Sequence, residues 1–290
     1  MEQKLIHQPI WIQKNTASWS CLEMDCLVEI FMKLNLDDLT LAVPFVCKSW
    51  FLAASHPLCW RKLDFRRLDL LPWSPFSKSF ALRHSLHYFS FTYFLKLAVG
   101  RSFKSVTELR FPLKLASLDD LVFSSNECPK LKSVALPILS TDDEAMISEL
   151  VCNWKDLERL EMESMPLNFP ELVKKMSICC KKISEIAVSG EVREEDAAAI
   201  ASYLPKLKKL DLSDSYLKKK DLFVIVRGCR ELEELNVNGC FGFEEDDKEI
   251  KSKVSGIRNF KSQGCKLYCE DAYEFCDWWD EYPQLNGYVF

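Results

Sequence analysis

The sequence predicts an α/β solenoid: a short all-α module at the N-terminus, then a curved array of about seven strand-helix rows. Three observations carry this. An apolar triplet recurs along the chain at nearly constant steps. Segments with helical apolar spacing separate its copies. A compact apolar cluster with helix-start signals precedes them. With 290 residues, 48% of them hydrophobic and 28% charged, the chain can bury a large core and is neither mainly disordered nor collagen-like.

Taken in order, residues 1–17 read as a flexible tail and 18–58 as the helical module. Leu27, Ile30, Phe31 and Leu34 share one helical face. Asp37 and Asp38 suit the start of a second short helix, where carboxylates complement the helix dipole. Pro44 fits the first turn of a third, whose face is marked by Val46, Cys47, Trp50 and Ala54. Three short helices make a weak core, so part of this apolar surface is expected to meet a partner. Residues 70–102, rich in Phe, Tyr and Trp, read as a largely buried helical connector.

The repeats occupy 59–243. The triplet, at positions +0, +3 and +5 of each row, is Val106, Leu109, Phe111; Leu131, Val134, Leu136; Leu157, Leu160, Met162; Ile183, Ile186, Val188; Leu207, Leu210, Leu212; and Leu232, Leu235, Val237, with starts 25, 26, 26, 24 and 25 residues apart. Trp60, Leu63 and Phe65 form an earlier copy. Positions +3 and +5 lie on one face of a short strand. Helical spacing follows, as in Leu172, Val173, Met176 and Leu222, Ile225, Val226. Thr141-x-x-Glu144 reads as a capping box and Gly228 as a left-handed helix stop. Neither element buries its apolar face alone, so rows stack. Strands about 4.8 Å apart and helices about 10 Å wide, at one of each per row, force a curve with strands inside.

Composition narrows the function. The net charge of −5 gives no reason to expect nucleic acid or an anionic membrane as partner. With 11 acidic and 6 basic residues, the segment from 241 onward holds the whole excess. Only eight glycines occur, without a phosphate-binding spacing. The start lacks the apolar stretch of a signal peptide, and the most apolar run, 86–99, is too short to span a bilayer. Thirteen cysteines, an odd number without paired zinc spacing, read as reduced thiols, with Cys128, Cys179, Cys229 and Cys240 as small buried hydrophobes of the repeat. The expected location is intracellular, in nucleus or cytoplasm.

LPKLKKLDLSDS and CRELEELNVNGC resemble the cysteine-containing leucine-rich repeat. Leu22, Leu27-x-x-Ile30-Phe31-x-x-Leu34, Asp38-Leu39, Val46-Cys47-Lys48-x-Trp50 and Trp60 resemble an F-box, and PFVCKSW with HPLCW is similar to plant F-box/leucine-rich-repeat proteins. The usual Leu-Pro opening is Leu22-Glu23 here. The resemblance implies a non-catalytic substrate-recognition subunit of a Skp-cullin-F-box ubiquitin ligase. The F-box would bind a Skp-family adaptor, and through it a cullin-RING ligase, while the repeats hold a protein substrate. Leu22, Leu27, Ile30, Phe31, Leu34, Leu39, Pro44, Val46, Cys47 and Trp50 are the candidate adaptor residues, with Trp50 expected to be mainly internal. The alternative is an interaction scaffold outside any ligase. A hydrolase is disfavoured by its histidines: His7 lies in the tail, His56 in the F-box, and His84 and His87 in the connector, none in a strand-helix row.

Strand positions +2 and +4 face the concave side. The +2 ladder alternates in sign and is expected to pair with itself. The +4 ladder, expected to be less self-paired, supplies Arg110, Glu161, Asp211 and Asn236, which with Arg159 of the +2 ladder are the candidate substrate residues. No cofactor or metal is expected: Cys265, Cys269 and Cys276 lack a fourth ligand. Residues 244–290 read as an acidic cap, with Trp278 and Trp279 packed over the last row.

Overall fold

The computed structural model of the chain describes residues 22–267. The N-terminal module comprises α1 (Met24–Phe31), a π-helical turn (Asp38–Ala42), a 3-10 turn (Val43–Phe45), α2 (Lys48–Ala54) and a second 3-10 turn (Pro57–Trp60). Leu27, Val28 and Phe31 form the inner face of α1. Phe31 meets Trp50 of α2 edge-on at 5.3 Å. The third helix starts later than the proline signal suggests. Pro44 sits in the 3-10 turn, and Cys47, extended at φ −162°, breaks the chain before α2. Val46 therefore lies before the helix and not on its inner face.

Trp60 closes the module. It is fully buried and its indole donates to the Ala54 carbonyl at 2.7 Å. The chain then enters β1 (Lys62–Asp64) and the connector helices α3 (Pro75–Arg83) and α4 (Phe91–Arg101). Phe76, Phe80, Phe91 and Phe94 are buried, whereas Trp73, Leu82, Tyr88 and Tyr93 are exposed, so the connector is less buried than its aromatic content suggests. Arg101 stacks on Trp60, joining connector to module.

The rows follow as β2 (Glu108–Arg110), α5 (Leu118–Glu127), β3 (Ser133–Ala135), α6 (Thr141–Leu150), β4 (Arg159–Met162), α7 (Phe169–Cys179), β5 (Glu185–Val188), β6 (Glu191–Val192), α8 (Glu194–Tyr203), β7 (Lys209–Asp211), β8 (Tyr216–Leu217), α9 (Lys219–Gly228), β9 (Glu234–Asn236), α10 (Lys248–Lys253) and β10 (Asn259–Lys261). The main sheet has eight strands in chain order, omitting β6 and β8, which pair with each other. Neighbours are parallel and in register, and equivalent triplet residues stack, as Leu160 on Ile186 and Leu210 on Leu235. From β1 to β9 these triplet side chains are buried, except Ile183, which is half-buried, and each fully buried one contributes about 1.5–3 kcal/mol of burial.

An eighth strand exceeds the seven rows expected. Asn259–Lys261 pairs with β9 from within the segment assigned to the cap. Its triplet, Ile257, Phe260 and Ser262, ends on a hydroxyl and breaks the apolar rule. Phe243, Ile250 and Val254 are buried beneath this row. Trp278, Trp279, Cys269 and Cys276 lie outside the described residues.

Local stops and cysteines also differ. The N-cap of α6 is Ser140, whose hydroxyl accepts from Asp143 N–H, so the cap lies one residue before Thr141. Gly228 has no left-handed backbone; its role is close packing, since a Cβ there would lie 2.4 Å from the Ala201 Cβ. From the row of β3 onward, the position three before the triplet is buried: Cys128, Trp154, Cys180, Leu204, Cys229 and Val254. Cys180, not Cys179, fills it. Cys152 and Cys179 are joined in a disulfide, contrary to the expectation of thirteen free thiols.

Candidate interaction surfaces

Two surfaces stand out. In the N-terminal module, the predicted adaptor residues divide by burial. Leu27, Phe31, Leu39 and Pro44 belong to its core. Leu22, Leu34, Cys47 and Trp50 are half-buried. Ile30 and Val46 are exposed, Val46 by 60%. Met24, Met32, Phe45, Phe51, Leu52 and Leu58 are exposed too, and sequence reasoning missed them. Their signal lay in α2. Trp50-Phe51-Leu52-Ala53-Ala54 is apolar all round, wider than the stripe one helix can bury, and only Ala53 and Ala54 turn fully inward. The first turn of α2 packs beside Phe45 and Val46, and the Arg83 guanidinium of α3 lies 3.7 Å from the Phe45 ring.

Cys47 borders this surface. Its Sγ lies 3.1 Å from the Ser49 hydroxyl, which favours the thiolate and holds its pKa below the usual thiol value. The repeat cysteines behave oppositely. Burial pushes Cys180 up to about 11 and Cys128, Cys229 and Cys240 up to about 12. Several also donate to a carbonyl one row back: Cys180 to Val151, Cys240 to Leu212, and Cys265 to Val237.

The second surface is the concave face of the main sheet. Its +2 ladder pairs with itself as expected: Lys62 with Glu108 at 3.4 Å, Arg159 with Glu185 at 3.7 Å, and Lys209 with Glu185 at 3.6 Å and Glu234 at 3.2 Å. The +4 ladder is no less paired, which corrects the expectation. Glu161 accepts from Arg110 at 2.7 Å, Arg66 at 2.9 Å and Arg159 at 3.2 Å. Asn236 donates to Asp211 at 2.9 Å.

Arg66 was not among the candidates. It stands at position +6 of the first row, and its guanidinium crosses two rows, donating to the carbonyls of Phe111 and Leu136 before reaching Glu161 and Glu163. Position +6 of those rows is Pro112 and Pro137, short side chains without donors. That column held the signal: an arginine and a glutamate separated by two prolines. Ala135 is buried under this cluster, whereas Ala187 floors a shallow hollow of about 180 Å³. Arg159, Glu185, Lys209, Asp211, Glu234 and Asn236 line it. The predicted substrate residues thus fall in two groups, Arg110 and Glu161 in a closed ion-pair cluster and Asp211 and Asn236 at the open hollow, with Arg159 shared between them.

The described histidines lie away from this face. His56 accepts from Leu58 N–H, and His84 packs on Phe80, where burial lowers its pKa. No group of three or more His, Cys, Asp or Glu side chains among the described residues is arranged to hold a metal ion. Among the described residues no helix is long and apolar enough to cross a membrane.

No model of a protein family matches the chain. The sequence is 31% identical over 260 residues to the F-box/LRR-repeat protein At3g48880 of Arabidopsis thaliana, covering 83% of this chain and 82% of that protein. It is 28% identical over 251 residues to the F-box protein FBW2 of the same plant, covering 83% of this chain and 74% of that protein. A third Arabidopsis relative, the F-box protein SKIP19, is 25% identical over 234 residues, with 78% of this chain and 70% of that protein covered.

Proposed function

The chain belongs to the plant F-box/leucine-rich-repeat proteins, and from that premise we propose that it is a substrate-recognition subunit of a Skp-cullin-F-box ubiquitin ligase. The observation that carries this reading is the exposed apolar surface of the N-terminal module. Phe51 and Leu52 face solvent on a seven-residue helix whose alanines face in. Both are about half exposed, so leaving them in water forfeits about 1 kcal/mol each, which a partner recovers. The Skp-family adaptor is that partner. The core residues Leu27, Phe31, Leu39 and Pro44 shape the surface; Ile30, Val46, Phe51 and Leu52 make the contact, with Leu22, Leu34, Cys47 and Trp50 at its edge.

In this role the chain performs no bond chemistry. It brings a protein substrate beside the conjugating enzyme held by the cullin-RING ligase and raises its effective concentration there. The concave face holds the substrate. The open half, around Asp211 and Asn236, presents a hollow lined by charged and amide groups, whereas in the other half Arg66, Arg110 and Arg159 converge on one largely buried carboxylate. Co-purification from plant cells distinguishes a ligase subunit from a scaffold. Recovery of both adaptor and cullin with the tagged chain is expected. Adaptor without cullin, with the proteasome inhibited, would favour the scaffold.

A further inference from the structure

We propose that Cys152 and Cys179 form a reversible thiol-oxidation site, a dithiol/disulfide couple that cross-links two adjacent rows of the solenoid. The site stands independently of the ligase reading.

The repeat register explains why these two residues meet. Cys152 lies five residues before the triplet of its row, and Cys179 four before the triplet of the next. Asn126 and Asn153 occupy the same two positions one row earlier, and Asn153 donates to Asn126 at 3.4 Å. Ile178 and Tyr203 occupy them one row later and line a common apolar hollow. Stacking therefore brings these positions side by side in successive row pairs, whether they carry amides, sulfurs or apolar groups. The Cα atoms of Cys152 and Cys179 are 5.0 Å apart, within the ordinary range for a bridge. The fold holds the sulfurs close in either redox state, so closing and opening the bond needs no rearrangement of the chain.

Accessibility sets the pair apart from the structural cysteines. Cys152 and Cys179 are half-buried on the helical side. Cys128, Cys180, Cys229 and Cys240 are buried. None of the buried four is placed to meet peroxide as a thiolate. The reaction is a two-electron oxidation. One thiolate attacks hydrogen peroxide, breaking the O–O bond and giving a sulfenic acid and hydroxide. The second thiolate attacks the sulfenic sulfur, forming the S–S bond and expelling a second hydroxide, and the two hydroxides take up the protons the thiols released, leaving two waters. An external dithiol reverses it through a mixed disulfide, leaving oxidised itself and returning both thiols. The bond ties the end of α7 to the turn after α6. These elements back β4 and β5, which carry Arg159, Glu161 and Glu185 on the concave face. Oxidation thereby stiffens the rows beneath the closed ion-pair cluster.

The test uses the full chain, reduced with dithiothreitol, desalted and treated with hydrogen peroxide. Differential alkylation with mass spectrometry should show Cys152 and Cys179 cross-linked to each other and released by dithiothreitol under native conditions. The oxidised chain should melt roughly 5–10 °C higher than the reduced one. C152S and C179S should each lose the cross-link and the melting shift, while C180S keeps both. The proposal is overturned if peroxide leaves both thiols unmodified or takes them to sulfinic acid without a cross-link, if the cross-link survives in C179S by using Cys180, or if dithiothreitol opens it only after denaturation.

Discussion

Glu161 shows how one side chain sets the character of a surface. Its carboxylate, only 16% exposed, receives Arg66, Arg110 and Arg159. Replacing it with Ala leaves three guanidiniums facing one another, and we expect a loss of about 2–4 kcal/mol in urea unfolding. Glu161→Gln keeps two hydrogen-bonding atoms and should lose less. Cys47 gives a second residue-scale prediction. Its pKa is depressed by the Ser49 hydroxyl, so its alkylation rate should rise with pH and level off at lower pH than a free thiol's. Iodoacetamide should modify Cys47 before Cys128, Cys229 or Cys240, whose thiols burial pushes up to about 12. Bound adaptor should slow that labelling; equal rates with and without it would remove Cys47 from the contact. The sequence showed the identity of these residues but not their partners. The +4 column appeared sparsely paired, but Arg110 reaches Glu161 past the small Ala135 and Arg66 reaches it from the +6 column, and no strand pattern encodes the length of those reaches.

At the scale of elements, legibility followed periodicity. The triplets located the strands β1 to β9 of the main sheet, because each strand buries its apolar side on the same core and its register allows no slip. The eighth strand escaped because Ser262 replaces the third apolar residue at the edge of the sheet, where the core is thinning. Helix ends were less legible. Ser140 and Thr141 are equally good caps by composition, and only the backbone turn chooses between them. Gly228 was read as a turn residue but serves helix packing. We predict that Gly228→Ala, normally favourable inside a helix, destabilises the chain by about 1–3 kcal/mol by pushing α9 off Ala201. An unchanged or raised melting temperature would show that the two helices separate without loss. In the module, α1 was legible and α2 was not, because an all-round apolar run does not say which face turns outward.

For the whole molecule, the row-by-row contact pattern implies that damage at one end stays at that end. Truncation after Cys240 removes Phe243, Ile250, Val254 and β10, and exposes the edge of β9. A lower melting temperature and aggregation are expected, with adaptor binding retained at low temperature because the module lies at the opposite end of the strand order. A truncated chain as stable as the parent would mean that the eighth row contributes nothing to the solenoid. The central claim is that the exposed apolar surface of the N-terminal module docks a Skp-family adaptor. Phe31 cannot test it, since its loss would empty the space against Trp50 and unfold the module. Val46 and Phe51, 60% and 47% exposed, can be changed without touching the core. The direct measurement is the adaptor affinity of purified Val46→Asp and Phe51→Asp chains beside the parent, with melting curves to show that the fold is kept. A loss of about 100-fold or more, roughly 2.7 kcal/mol, is predicted for each. Parent-like affinity in both folded variants would contradict the account.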